Sequence, residues 1–264
     1  MKLSNSLETI LENDRRWILG SFLFLAGLAW GVLVYQSWDM GHGAAGLAGC
    51  PMPASNSAWG VSEFWAIFIM WLVMMVAMMV PSAIPMILTF ASVNRKRQES
   101  QSTIVPTWIF LSGYLIVWAG FSLGVTLLQG QLYQWALLSP MMEATNRFFS
   151  GSLLLLAGAF QWSPLKNTCL TFCQSPFIFL MTSWREGKTG ALFMGLRHGI
   201  FCTGWCWALM ALLFVFGVMN LRWVAVLSIF VLLEKLAPRR WRVNRFSGLM
   251  LIGGGFFSIL YQRM

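Results

Sequence analysis

Four side chains in one segment have the types and the spacing to handle a soft metal. His198, Cys202, Cys206 and Met210 recur every four residues between Gly195 and Met210. At about 100° per residue, each step drifts by only about 40°, so all four share one stripe of a helix. Imidazole, thiolate and thioether are donors that select Cu(I), and the first two also suit zinc. Each step climbs about 6 Å. One ion can therefore take only a neighbouring pair, His198 with Cys202 or Cys202 with Cys206, and another helix must supply the rest. The competing reading is packing, with Cys as a small hydrophobe and Met as a gap-filler. Packing accounts less well for His198, because a polar group at membrane depth is costly and faces the bundle interior.

Two further clusters carry the same chemistry. Cys169 and Cys173 are also four apart, in Pro164–Pro176. On a helix they face one way, as a ligand pair or as two buried thiols. Their C-x₃-C spacing is not the C-x₂-C of a zinc knuckle or thiol-exchange site. Five Met fall within residues 70–79. Met70, Met74 and Met78 form one helical stripe, and Met75 and Met79 form its neighbour. Thioethers bind Cu(I) without losing a proton, which suits a path. Flexible packing beside Pro81 is the alternative. Met40, His42, Cys50 and Met52 add soft donors in a Gly- and Ala-rich loop. Glu234, beside Lys235, is expected either to pair with Arg197 or, with Lys235, to snorkel at the interface. Asn220 stands where it can cap the following helix.

The elements that must position these donors are membrane helices. Of 264 residues, 58% are apolar and 10% charged, against roughly 25% charged in a soluble domain. Mean hydropathy is +0.67. Such a composition excludes a soluble enzyme, a disordered tail and a secreted disulfide scaffold. A bilayer core needs about 20 apolar residues of helix. Seven runs qualify: 17–37, 64–90, 105–128, 146–163, 190–217, 221–236 and 246–262. The fourth is short and can run past Pro164. Pro176–Trp184 is apolar but too short to span, and reads as interfacial or re-entrant. The expectation is an all-α, polytopic transmembrane bundle in a single domain over 1–264.

Charge sets the orientation. The net charge of +9 is not a nucleic-acid signal, because Lys and Arg cluster between the apolar runs. With the N-terminus inside, 15 of the 18 basic residues fall on the cytoplasmic side, a strong positive-inside bias. The expected layout has a cytoplasmic tail at 1–16, a periplasmic loop at 38–63, a cytoplasmic loop with the Cys pair at 164–189, and the C-terminus outside. The string Leu47-Ala48-Gly49-Cys50 looks like a lipoprotein cleavage box, but it stands too far from the apolar run, and an uncleaved first helix is expected.

Taken in chain order, the motifs resemble a bacterial family described as predicted metal-binding integral membrane proteins, catalogued as a domain of unknown function. The likeness rests on Trp71-x₂-Met74-Met75-x-Ala77-Met78-Met79-x-Pro81 and Gly113-Tyr114-x₃-Trp118. It continues through Gln161-x₂-Pro164-Leu165-Lys166-x₂-Cys169-x₃-Cys173-x-Ser175-Pro176. The next parts are Gly195-x₂-His198-Gly199-x₂-Cys202-x-Gly204-x-Cys206-Trp207-x-Leu209-Met210, Gly217-x-Met219-Asn220 and Glu234-Lys235-x₂-Pro238. These cover about residues 60–240. Where such proteins often carry adjacent cysteines, C-x-G-C-C-W, this chain has Trp205 in the first position. Cys206 still shares a stripe with Cys202 and His198. The resemblance implies metal binding in a membrane.

The functional expectation is transition-metal handling by an inner-membrane protein, with copper favoured over zinc because of the Met clusters. It would transport the metal or deliver it to a membrane metalloenzyme, with a periplasmic metal chaperone as a further partner. No residue is given a catalytic role. A non-metal assembly scaffold is the alternative. A membrane oxidoreductase is disfavoured, since two His on different sides or depths cannot form a bis-His haem site.

Overall fold

The structure, a computed structural model, describes residues 2–41, 60–98, 105–139, 142–237 and 243–260. Its long helices are α1 (Lys2–Gly41), α2 (Val61–Gln98), α3 (Thr107–Gln134) and α4 (Arg147–Gln161). Then come α5 (Pro164–Gln174), α6 (Pro176–Ser183), α7 (Gly187–Ala211) and α8 (Leu213–Phe216). The last two are α9 (Leu221–Leu236) and α10 (Val243–Leu260). No sheet occurs among the described residues; Leu138 and Ala144 form an isolated bridge. His42, Cys50 and Met52 lie outside the described residues, as does the side chain of Met40.

Over the described residues each of the seven apolar runs falls on helix, but they are not seven equal spans. Five stretches are long and apolar enough to cross a membrane: Leu19–Trp38, Val61–Arg95, Thr107–Gln134, Gly187–Phe216 and Val243–Leu260. Helices α4 and α5 reach that length only together, and they bend by 64° at their junction. Pro164 explains the break: it lacks an N–H and starts α5 under a Ser163 cap, whose hydroxyl accepts from Leu165 N–H. Helix α9, at 16 residues, falls short of the usual span length. After Pro164 the chain forms two helices with buried faces, carrying Lys166, Cys169 and Cys173 on α5 and Phe179 and Leu180 on α6.

Helix α2 runs through the core. Met70, Met74, Met75, Met78 and Met79 are all buried, so both Met stripes face protein. Pro81 interrupts α2 and leaves the Ala77 carbonyl without its helical donor. The Trp30 indole N–H of α1 donates to that carbonyl at 3.2 Å. Farther out, the Trp71 indole donates to Gln129 Oε1 of α3 at 2.6 Å.

Helices α3 and α7 touch backbone to backbone. A side chain at Gly195 would collide with the Phe110 carbonyl, and one at Gly113 with the Leu192 carbonyl. Ala191, Gly195 and Gly199 recur every four residues, the small-residue pattern by which membrane helices approach closely. Helices α4 and α10 use the same device, with Gly151 against Gly255 and Gly158 against Gly248. The α3–α7 approach brings the rings of α3 beside His198.

Candidate metal centre

The stripe read from the sequence faces the core. His198, Cys202, Cys206 and Met210 are at most 1% exposed. The His198 ring stacks on Tyr114 of α3, with centroids 5.6 Å apart and planes at 25°. Phe110 stacks beside it at 6.2 Å, and Phe179 of α6 meets it edge-on at 5.6 Å. Neither ring nitrogen has a hydrogen-bond partner. Leaving a buried polar atom unpaired costs about 1–3 kcal/mol, so two orphaned nitrogens on one fully buried imidazole are a mark of a ligand site.

The thiols assemble across two helices. Cys173 of α5 and Cys206 of α7 are buried neighbours of the Cys202 thiol. The Cys206 S–H donates to the Cys202 carbonyl at 3.0 Å. On the opposite side, Tyr114 Oη lies 3.4 Å from Cys202 Sγ. The Tyr114 O–H donates to the Met79 carbonyl of α2 at 3.2 Å. A phenol has one proton; with that proton on Met79, the Cys202 S–H donates to Tyr114 Oη. Cys202 and Tyr114 thus form a chain of donors joining α7, α3 and α2.

The other predicted donors are distributed around this centre. Cys169 is buried one turn from Cys173, with its sulfur 3.1 Å from where a Gly204 side chain would begin. Met79 reaches the centre through its carbonyl. Met74, Met75 and Met78 line the buried face of α2 leading to it. Met210 stands two turns beyond Cys202, about 12 Å along α7. Among the described residues, no three His, Cys, Asp or Glu side chains are grouped so as to hold one ion. The thiols that stand near each other on different helices are those of Cys173 and Cys202. Two thiols from different helices suit a soft monovalent ion that accepts few ligands better than zinc, which takes four in structural sites.

A charged network adjoins the thiols. Lys166 Nζ donates to Glu234 Oε1 at 2.6 Å and also to Gln161 Oε1. All three side chains are buried, and the ammonium lies 5.6 Å from the Trp205 ring. This corrects the expected Glu234–Arg197 pair: Arg197 donates to Ser183 Oγ at 2.8 Å, on the α6 side. It also corrects the interfacial reading of Glu234 and Lys235, since both are buried and Lys235 Nζ has no hydrogen-bond partner. Glu234 Oε2 and Gln161 Nε2 are unpaired as well. Gln161 and Glu234 line a cavity of about 670 Å³ between α4, α5, α9 and α10, together with Asn167, Gln174 and Asn244. Asn220 precedes α9 as expected, but its side chain makes no capping bond.

Sequence reasoning passed over two of these residues. By its place in the sequence Lys166 is one of the 15 basic residues on the cytoplasmic side, and only the fold turns it inward. Tyr114 had no role from spacing, because its partners lie 35 and 88 residues away. The Gly113-Tyr114 dipeptide, placing a small residue beside a phenol in an apolar run, was the one available signal.

A family model described as PpoB2, copper chaperone, matches residues 68–258. No curated protein and no solved structure matches the chain. The matched stretch includes all eleven donors singled out on α2, α5 and α7.

Proposed function

The chain belongs to the PpoB2 copper chaperone family, and from that membership we propose that it takes Cu(I) into its helical core and hands it to a metalloenzyme in the same membrane. The cargo would be held by Cys173 and Cys202 as thiolates, with His198 as the neighbouring neutral donor. One observation carries this reading: two thiols from separate helices meet beside an imidazole whose nitrogens are both unpaired.

The surroundings fit a carrier. Thiolates hold Cu(I) strongly, and hand-off needs ligands that exchange. A site on two helices can open by a small movement of α5 against α7, and the Pro164 bend gives α5 a hinge. The buried thioethers of Met74, Met75, Met78 and Met79 offer weaker neutral donors along α2, suited to passage. The candidate spans support a membrane location, which we propose is the bacterial inner membrane, with the N-terminus inside by the charge bias. Its partners would be a membrane metalloenzyme and a periplasmic metal chaperone.

The test is metal content. The protein purified in detergent after growth with copper should carry about one copper per chain by mass spectrometry. Cys173→Ser and Cys202→Ser should lose it, and His198→Ala should bind more weakly. Wild-type protein without copper, also unable to take up Cu(I) under reducing conditions, would sink the proposal.

A further inference from the structure

Tyr114 places a hydroxyl between the thiol centre and the methionine helix. Its hydroxyl is buried, donates to the Met79 carbonyl at 3.2 Å, and accepts from Cys202 at 3.4 Å. The Met79 carbonyl has a second donor, the Ser82 hydroxyl at 2.9 Å. The ring is fixed by stacking on His198 and by Trp118, whose ring meets it at 6.3 Å. The phenol is therefore held against two acceptors and can serve one at a time with its proton.

We propose that Tyr114 is the positioning residue of the copper-bound Cys202. Its O–H points to Met79 while Cys202 keeps its own proton, and turns onto Cys202 Sγ when that sulfur takes Cu(I). This rests on the copper reading above. The balance is simple: the S–H bonds of Cys173 and Cys202 are exchanged for two S–Cu bonds, both protons leave to solvent, and no electron moves. Once the sulfur has lost its proton it can no longer donate to Tyr114 Oη. Two acceptors then face each other at 3.4 Å unless the phenol turns. A thiolate is charged, and charge-assisted hydrogen bonds are about twice as strong as neutral ones, so the phenol's proton goes to sulfur. Met79 keeps Ser82 as its donor, so the exchange strands no carbonyl.

The consequence is a link between cargo and helix position. In the copper-free protein Tyr114 ties α7 to α2, two residues before Pro81. In the loaded protein that tie is released and Tyr114 belongs to the thiolate alone. Partners that orient a metal's ligands are typically worth about 10–100-fold in affinity, and this sets the size of the effect. Tyr114→Phe retains the ring and its stacking and removes only the hydroxyl.

The experiment uses full-length protein in detergent, titrated with Cu(I) against a chromophoric Cu(I) chelator and followed by infrared difference spectroscopy. Wild-type protein should shift a tyrosine band on loading. Tyr114→Phe should lack that shift and bind Cu(I) about 10–100-fold more weakly. Cu(I) uptake by the wild type without a tyrosine shift would overturn the role of Tyr114 and leave the copper reading standing. A shift that persists in Tyr114→Phe would assign it to another tyrosine and overturn the proposal. Unchanged affinity in a folded Tyr114→Phe would remove its positioning role. No Cu(I) uptake by the wild type overturns both readings. The wild-type spectrum decides the matter even if the variant fails to fold.

Discussion

The Lys166–Glu234 pair makes a prediction whose sign is unusual. Both side chains are fully buried and 2.6 Å apart. Glu234→Leu removes the carboxylate and leaves the Lys166 ammonium with only Gln161 Oε1 and the nearby Trp205 ring. Removing one partner of a buried pair costs about 3–5 kcal/mol, or roughly a few hundredfold to a few thousandfold in the unfolding equilibrium. Adding Lys166→Met takes away the stranded charge. What then remains unpaired is the Gln161 carbonyl oxygen, at about 1–3 kcal/mol. The double variant should therefore be more stable than Glu234→Leu alone, by about 2 kcal/mol from the middles of those ranges. The assay is reversible unfolding in mixed detergent and SDS micelles, followed by Trp fluorescence. A double variant less stable than the single one would refute the reasoning, and would mean that Lys166 stabilises by packing on Trp205 and not by charge.

Two further outcomes follow from the packing and a third from the charge bias. Gly195→Val drives a side chain into the Phe110 carbonyl; it should cost about 1–3 kcal/mol or more by overpacking and lower copper content, because α3 carries Tyr114 to His198. Trp30→Phe leaves the Ala77 carbonyl beside Pro81 without its donor; thermal denaturation should show a loss of about 1–3 kcal/mol, with copper content unchanged. Reporter fusions after Arg97 and at Met264 should lie on opposite sides of the membrane; the same side for both would break the N-inside, C-outside layout.

The helices were legible because apolar run length is a local property. Residues 64–90, 105–128 and 190–217 of the sequence correspond to α2, α3 and the α7–α8 stretch, with helix ends extended by polar turns. The break at Pro164 was visible, but its 64° angle was not, because the angle depends on what α5 packs against. Charge was less legible. Lys166 and Lys235 look like members of cytoplasmic clusters, and a positive-inside tally treats every Lys alike. Burial depends on whether a carboxylate waits inside, and Glu234 is 68 residues from Lys166.

For the candidate metal centre, sequence alone determined which residues share a face. A period of four puts His198, Cys202 and Cys206 on one stripe and Cys169 with Cys173 on another, since backbone geometry relates neighbours on one helix. It also determined the chemistry, because donor softness belongs to the side chain. Only the tertiary structure decided which stripes meet. It set Cys173 against Cys202, turned Cys206 onto a carbonyl, left Met210 two turns away, and put the Tyr114 hydroxyl between Cys202 and Met79. Those choices depend on the close α3–α7 approach and the Pro164 bend, where contacts between residues far apart in the chain set the geometry.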